Sequence, residues 1–211
     1  MRPTRRVISA PTLLPGRDQA DWLSRLVISE KGRRVGFIQG YDPETLREVI
    51  DREAVYERLV EVSRQRSFPD QLEQVWLFKV LGELDEALEI SERTVRLARM
   101  SGTRRDLLHA RIIHATVNQH RGAYTAAEAE LTACIEEAEG QRWERISALA
   151  HSHRGKARYD AGDYDGARED FKRELFLRQE LGADDEQLEI TMGFIEAAER
   201  KRSTSRGLFA S

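Results

Sequence analysis

The chain has 211 residues, 40% of them hydrophobic and 34% charged, with a formal charge of -3 and one cysteine. That length supports one compact domain or one elongated array with a buried core. A lone Cys134 excludes an internal disulfide framework and a Cys-only zinc site, and points to a reducing, cytoplasmic setting. No apolar run reaches the roughly 18 residues of a membrane helix, and abundant Ala, Leu, Glu and Arg with 7% aromatics favour helix over sheet.

Residues 1–17 read as a basic, unstructured N-terminal arm, with no continuous apolar stretch of the kind a secretory signal needs. From Asp18 to Lys31, Trp22, Leu23, Leu26 and Val27 share one helical face, and Gly32 is a stop. The same stretch also fits a β-hairpin, with Arg25–Ser29 and Arg34–Ile38 flanking Glu30-Lys31-Gly32-Arg33. Asp42-Pro43-Glu44 has the chemistry of a helix start: a capping acid, Pro at the first helical position and a carboxylate at the positive end of the dipole. Leu46, Val49, Ile50, Leu59 and Val60 then keep one face apolar to about Arg66, where Ser67, Phe68, Pro69 and Asp70 break the helix. Residues 18–66 are thus expected to form a degenerate leading helical hairpin.

A repeat organises residues 67–200. L-G-E-L-D-E-A at 81–87, R-G-A-Y-T-A-A at 121–127 and A-G-D-Y-D-G-A at 161–167 stand forty residues apart, and Leu77, Val117, Ala157 and Ala197 keep the same step. Each unit reads as a helical hairpin. First arms fall at about 70–81, 104–121, 143–161 and 185–200, and second arms at about 84–101, 124–139 and 164–181. Gly82, Gly122 and Gly162 stand between arms where a helix ends in a left-handed residue, and Gly102, Gly140 and Gly182 are expected to do the same between units. One such hairpin cannot bury its apolar stripe alone, so the units must stack.

The Gly, aromatic, Ala turn resembles that of the tetratricopeptide repeat. The third unit matches best, with Gly155 at the close-packed place of its first arm, then Gly162, Tyr164, Ala167 and Phe171. The forty-residue period is similar to the longer variant found in kinesin light chains and bacterial peptide-responsive regulators. The resemblance covers about residues 68–200 and implies an all-α, right-handed solenoid: three repeats, a C-terminal capping helix within 67–200, and a concave groove lined by the first arms. Residues 201–211 are then a flexible basic tail, drawn at low salt to the body by its charge, with Leu208 and Phe209 as an apolar anchor.

On that register the inward positions are Leu72, Trp76 and Lys79 in unit one and His109, Ile113, Thr116 and His120 in unit two. They are Leu149, His153, Lys156 and Asp160 in unit three, and Glu189, Glu196 and Arg200 on the last arm. Trp76 is equally placed to pack beneath the leading helix. The chaperone-binding members of the family clamp a terminal carboxylate with Lys, Asn and Arg, and this chain has Leu72, Trp76, Ile113, Leu149 and His153 at those places, which argues against a chaperone-tail adaptor.

No phosphate loop, nucleophile elbow, zinc-protease or dinucleotide motif is present. Cys134 takes a core position on a second arm. All five histidines lie on first arms; His120, His153 and Asp160 could approach one another, but Lys156 stands among them and its charge opposes a metal ion. Charge is unevenly spread, at +5 over residues 1–41, -12 over 42–199 and +4 over 200–211, so the acidic body is a poor surface for nucleic acid. The expectation is a non-catalytic scaffold, without cofactor or metal, that binds an extended segment of a protein or peptide in its groove, with homodimerisation open. The alternative is a ligand- or signal-peptide-sensing regulator.

Overall fold

The computed structural model describes residues 37–208. Two short strands, β1 (Ile38–Tyr41) and β2 (Glu48–Ile50), precede eight helices. These are α1 (Arg52–Val62), α2 (Phe68–Leu81), α3 (Leu84–Ser101), α4 (Arg104–His120), α5 (Tyr124–Gly140), α6 (Glu144–Asp160), α7 (Tyr164–Glu180) and α8 (Asp185–Leu208). The chain is mostly helical, with the strand pair as the departure from an all-α reading. None of the described helices is long and apolar enough to cross a membrane.

From α2 onward each helix packs on its neighbours in sequence, while α2 also touches α4 and α4 touches α6, so these alternate helices lie side by side. The starts of α2 and α4 are fixed by reciprocal capping: Ser67 with Asp70, and Thr103 with Asp106. The stretch read as a break at 67–70 is thus the cap of α2. Gly82, Gly122 and Gly162 take φ of 87°, 81° and 85° at the turns, where any Cβ would be strained. Between units the expectation holds only for Gly182: Gly102 is extended, Gly140 is still helical, and Arg142 supplies the left-handed residue at φ 56°. Gly155 serves close approach, since a Cβ there would lie 2.6 Å from the Phe171 ring. The cores run between adjacent helices, with Leu108, Ile112, Leu131 and Ile135 among the central residues. Cys134 is buried with them, and burial pushes its thiol up to about 12, which keeps it inert.

Two expectations are corrected. The helix expected to run from Asp42 to about Arg66 is instead a β-hairpin followed by the shorter α1, capped by Asp51, whose carboxylate accepts the Glu53 and Ala54 amides at 3.1 and 3.2 Å. The described part of residues 18–66 is therefore not a helical hairpin; residues 18–36, including most of the alternative β-hairpin, lie outside the described residues. Asp42 does cap backbone amides, of Glu44 at 3.0 Å and Thr45 at 2.7 Å, but these belong to a single turn. Leu46, at φ 56°, reverses the chain, and the Asp42 amide donates to the Arg47 carbonyl at 2.8 Å. Gly40 then pairs with Val49 and Tyr41 with Glu48, after an irregularity between Ile38 and Gly40. Capping chemistry is shared by turns and helix starts, and here the aromatic and β-branched flanks, Phe37-Ile38 and Val49-Ile50, decide for strand.

The second correction concerns residues 201–208, read as flexible tail, which continue α8. Lys201 pairs with Glu44 at 2.6 Å and Arg202 with Asp165 at 3.0 Å, so the basic end of this helix is held by local acids.

Candidate functional site

The β-hairpin lies across α2, α4, α6 and α8 and meets them with side chains of every class. Glu48 is its most buried charge. The Lys79 ammonium stands 3.9 Å away, and Lys156 and His120 are close enough to bias its ionisation. Burial alone would raise the Glu48 carboxyl, but Lys79 and then Lys156 outweigh it and hold the group well below the usual carboxylate range. Burial pushes Lys79 down to about 8, with Glu48 opposing the change, and lowers Lys156, with Glu48 and Glu174 opposing. Burial and then the Lys79 charge push His120 down to about 2. His153 is held well below its ordinary value by burial and then by Lys156, so both imidazoles are neutral at pH 7.

Beside this cluster, Arg47 Nη2 donates to Asp160 Oδ2 at 2.6 Å, and Gln119 Nε2 donates to the same oxygen at 2.7 Å. Aromatic contacts stand at both ends. The rings of Phe37 and Trp76 are 5.6 Å apart, Tyr41 meets Phe194 edge-on at 5.2 Å, and Lys156 Nζ sits 4.7 Å from both of the latter rings. At the turn, the Tyr159 hydroxyl donates to the Glu44 carbonyl at 3.0 Å and Arg200 donates to the Pro43 carbonyl at 3.3 Å.

Of the residues expected to line a groove, Lys79, His120, Lys156 and Asp160 meet around the hairpin, and His153 couples to the same charges. Trp76 packs against Phe37 and with Val55 and Val62 of α1, the second of its two expected placements. Leu72 and Ile113 are interhelical core, and Leu149 packs against a core cluster. Thr116 is buried, with its hydroxyl donating to the Ile113 carbonyl at 2.8 Å. His109 is buried, and burial pushes it down to about 4. Glu196 is exposed to solvent.

No family model, curated protein or solved structure matches the chain. The site therefore has to be read from its own chemistry. Phe37, Tyr41, Arg47, Glu48, Gln119 and Phe194 belong to it and were not anticipated; the available signal was a pair of short β-rich runs about Asp-Pro-Glu-Thr. Among the described residues no three His, Cys, Asp or Glu side chains are grouped to hold a metal ion. A cavity of about 280 Å³ opens between the hairpin and α8, walled by Tyr41, Leu46, Ile190 and Phe194, with Asp42, Glu186 and Glu189 on its polar side.

A second polar cluster ties α5, α6 and α7 together. Asp170 receives Arg154 at 2.7 and 2.9 Å and Arg158 at 3.0 Å, and hydrogen-bonds His151 Nδ1 at 2.9 Å. Arg158 also reaches Glu128 at 2.8 Å, and Arg154 reaches Thr132 at 3.1 Å. Every partner of Asp170 is on the helices themselves, so this network holds these three helices to one another.

Proposed function

We propose that the chain is a non-catalytic interaction module of the tetratricopeptide kind, a solenoid whose first arms α2, α4, α6 and α8 make a concave groove for an extended segment of a protein or peptide partner. One observation carries this reading: that face already holds an extended two-stranded segment, residues 37–50, through paired charges and aromatic contacts. The forty-residue recurrence of helical hairpins and the Gly155–Phe171 contact support the repeat assignment. An acidic body argues against nucleic acid as the partner, and the lone inert thiol suits a cytoplasmic protein. The test is capture of partners by the full chain beside two variants. Lys156→Glu should abolish capture of a face-bound partner, while Arg96→Glu, on an exposed part of α3, should leave it intact. Capture insensitive to Lys156→Glu would move the interface off this face.

A second reading, a ligand-sensing regulator, is favoured by the cavity between hairpin and α8. A small apolar ligand with a cationic group would fit its aromatic wall and carboxylates, and would raise the thermal stability of the full chain on binding.

A further inference from the structure

Deepening the interaction reading, on which it rests, we infer that residues 37–50 are a displaceable self-ligand, and that the partner segment replacing them is extended and presents a carboxylate where Glu48 now sits. The hairpin's strands are four and three residues long, with an irregular register and a non-glycine residue at positive φ in the loop. Two-stranded hairpins of that size are marginal on their own. The hairpin thus keeps its shape by lying on the helices, through Phe37, Leu46, Arg47 and Glu48.

The helices, by contrast, supply most of what keeps their own shape. Two of the apolar clusters between them, their turns and the Asp170 network are built from residues 67 onward. The hairpin adds Phe37 and Ile38 beside Trp76 and Leu46 beside Phe171 and Phe194, surfaces that a replacing segment has to cover, and it sits over charges. With the hairpin in place, Glu48 opposes Lys79 and Lys156, and Arg47 opposes Asp160. Take it away and two ammoniums lose their shared counter-charge, while Asp160 keeps only the Gln119 amide. An incoming segment is therefore selected for a carboxylate facing Lys79 and Lys156, and gains from a neighbouring cation facing Asp160. Arg47 and Glu48 are adjacent in sequence, Arg47 leaving the turn and Glu48 opening β2, so the pattern to be matched is a basic and an acidic residue side by side where a turn enters a strand, with an aromatic residue brought beside Phe194 as Tyr41 is from the paired strand.

The test uses the full chain and a fluorescent peptide with the sequence of residues 36–51, together with its Gln counterpart at the Glu48 position. The hairpin is locked by joining Glu44→Cys and Lys201→Cys with a short bis-maleimide, since those side chains touch at 2.6 Å; helicity and melting are checked before and after. Binding to the unlocked chain is expected, strengthened about tenfold by Arg47→Ala in the protein because the competing hairpin is then less often seated. It should fall about tenfold or more with the Gln peptide, and be lost in the locked chain. If Arg47→Ala lowers helicity, Glu48→Gln replaces it as the loosened variant. Equal binding to locked and unlocked chains, or no binding to a folded loosened variant, overturns displacement, yet leaves the interaction reading to stand on Lys156-dependent partner capture. Equal binding of the Glu and Gln peptides overturns the carboxylate requirement.

Discussion

Two buried clusters of charge, one around Asp170 and one around Glu48, differ in how they are held. Around Asp170 the partners are two guanidiniums that cannot lose their charge and the ring of His151, in hydrogen bonds of 2.7 to 3.0 Å, all within the helical body. Around Glu48 the partners are amines and imidazoles, the nearest ammonium is 3.9 Å away, and the carboxylate arrives on a separate two-stranded element. The first arrangement fixes one geometry; the second can change its protonation and release a partner. The two clusters thus differ in contact distance, in guanidiniums at Asp170 against ammoniums at Glu48, and in whether the carboxylate belongs to the helical body.

The largest expected effect comes from pH. Burial and nearby cations depress His109 to about 4, His120 to about 2 and His153 well below its ordinary value. As pH falls below about 6.5 the unfolded chain takes up these protons while the folded chain does not, so stability is lost on acidification at up to about 1.4 kcal/mol per pH unit for each histidine. Urea titrations at pH 7 and 5.5 should show it. His120→Gln with His153→Gln should remove much of the slope; an unchanged slope would mean these two imidazoles are not buried by the hairpin.

Next in size is Asp170→Ala, which strands Arg154 and Arg158 without their shared carboxylate and should cost about 3 kcal/mol in chemical denaturation. The matching change at the other cluster, Glu48→Gln, should cost only about 1 kcal/mol, because Lys79, already lowered to about 8, can become neutral once its counter-charge is gone. Equal losses for the two substitutions would erase the distinction between the clusters. Smallest of all, Glu196→Gln on the exposed side of α8 should change stability by less than about 0.5 kcal/mol, measured in the same way.

The helical body was legible in the sequence because its signals are local and repeated. Period and turn glycines place α2 to α7 within two residues of the expected arms, and Gly155 and Phe171, which the family resemblance put on the two arms of one unit, are close neighbours. The hairpin was not legible, because Asp42-Pro43-Glu44 carries the same capping chemistry whether a turn or a helix follows, and what decides is the tertiary partner of its flanks. Lys79, His120, Lys156 and Asp160 could be placed on one face by counting along the arms. What the counting could not reveal is that the face was already covered, since Glu48 and Arg47 reach it from far away in sequence: 113 residues separate Arg47 from Asp160.

Native-state hydrogen exchange on the full chain addresses the separability of the hairpin most directly. Amides of Ile38 to Tyr41 and Glu48 to Ile50 are expected to be protected, which requires that the hairpin is seated, yet to exchange through an opening well below the global unfolding free energy that governs the middle of α4 and α6. Hairpin amides that exchange only with global unfolding would contradict a self-ligand that leaves while the helices stay folded.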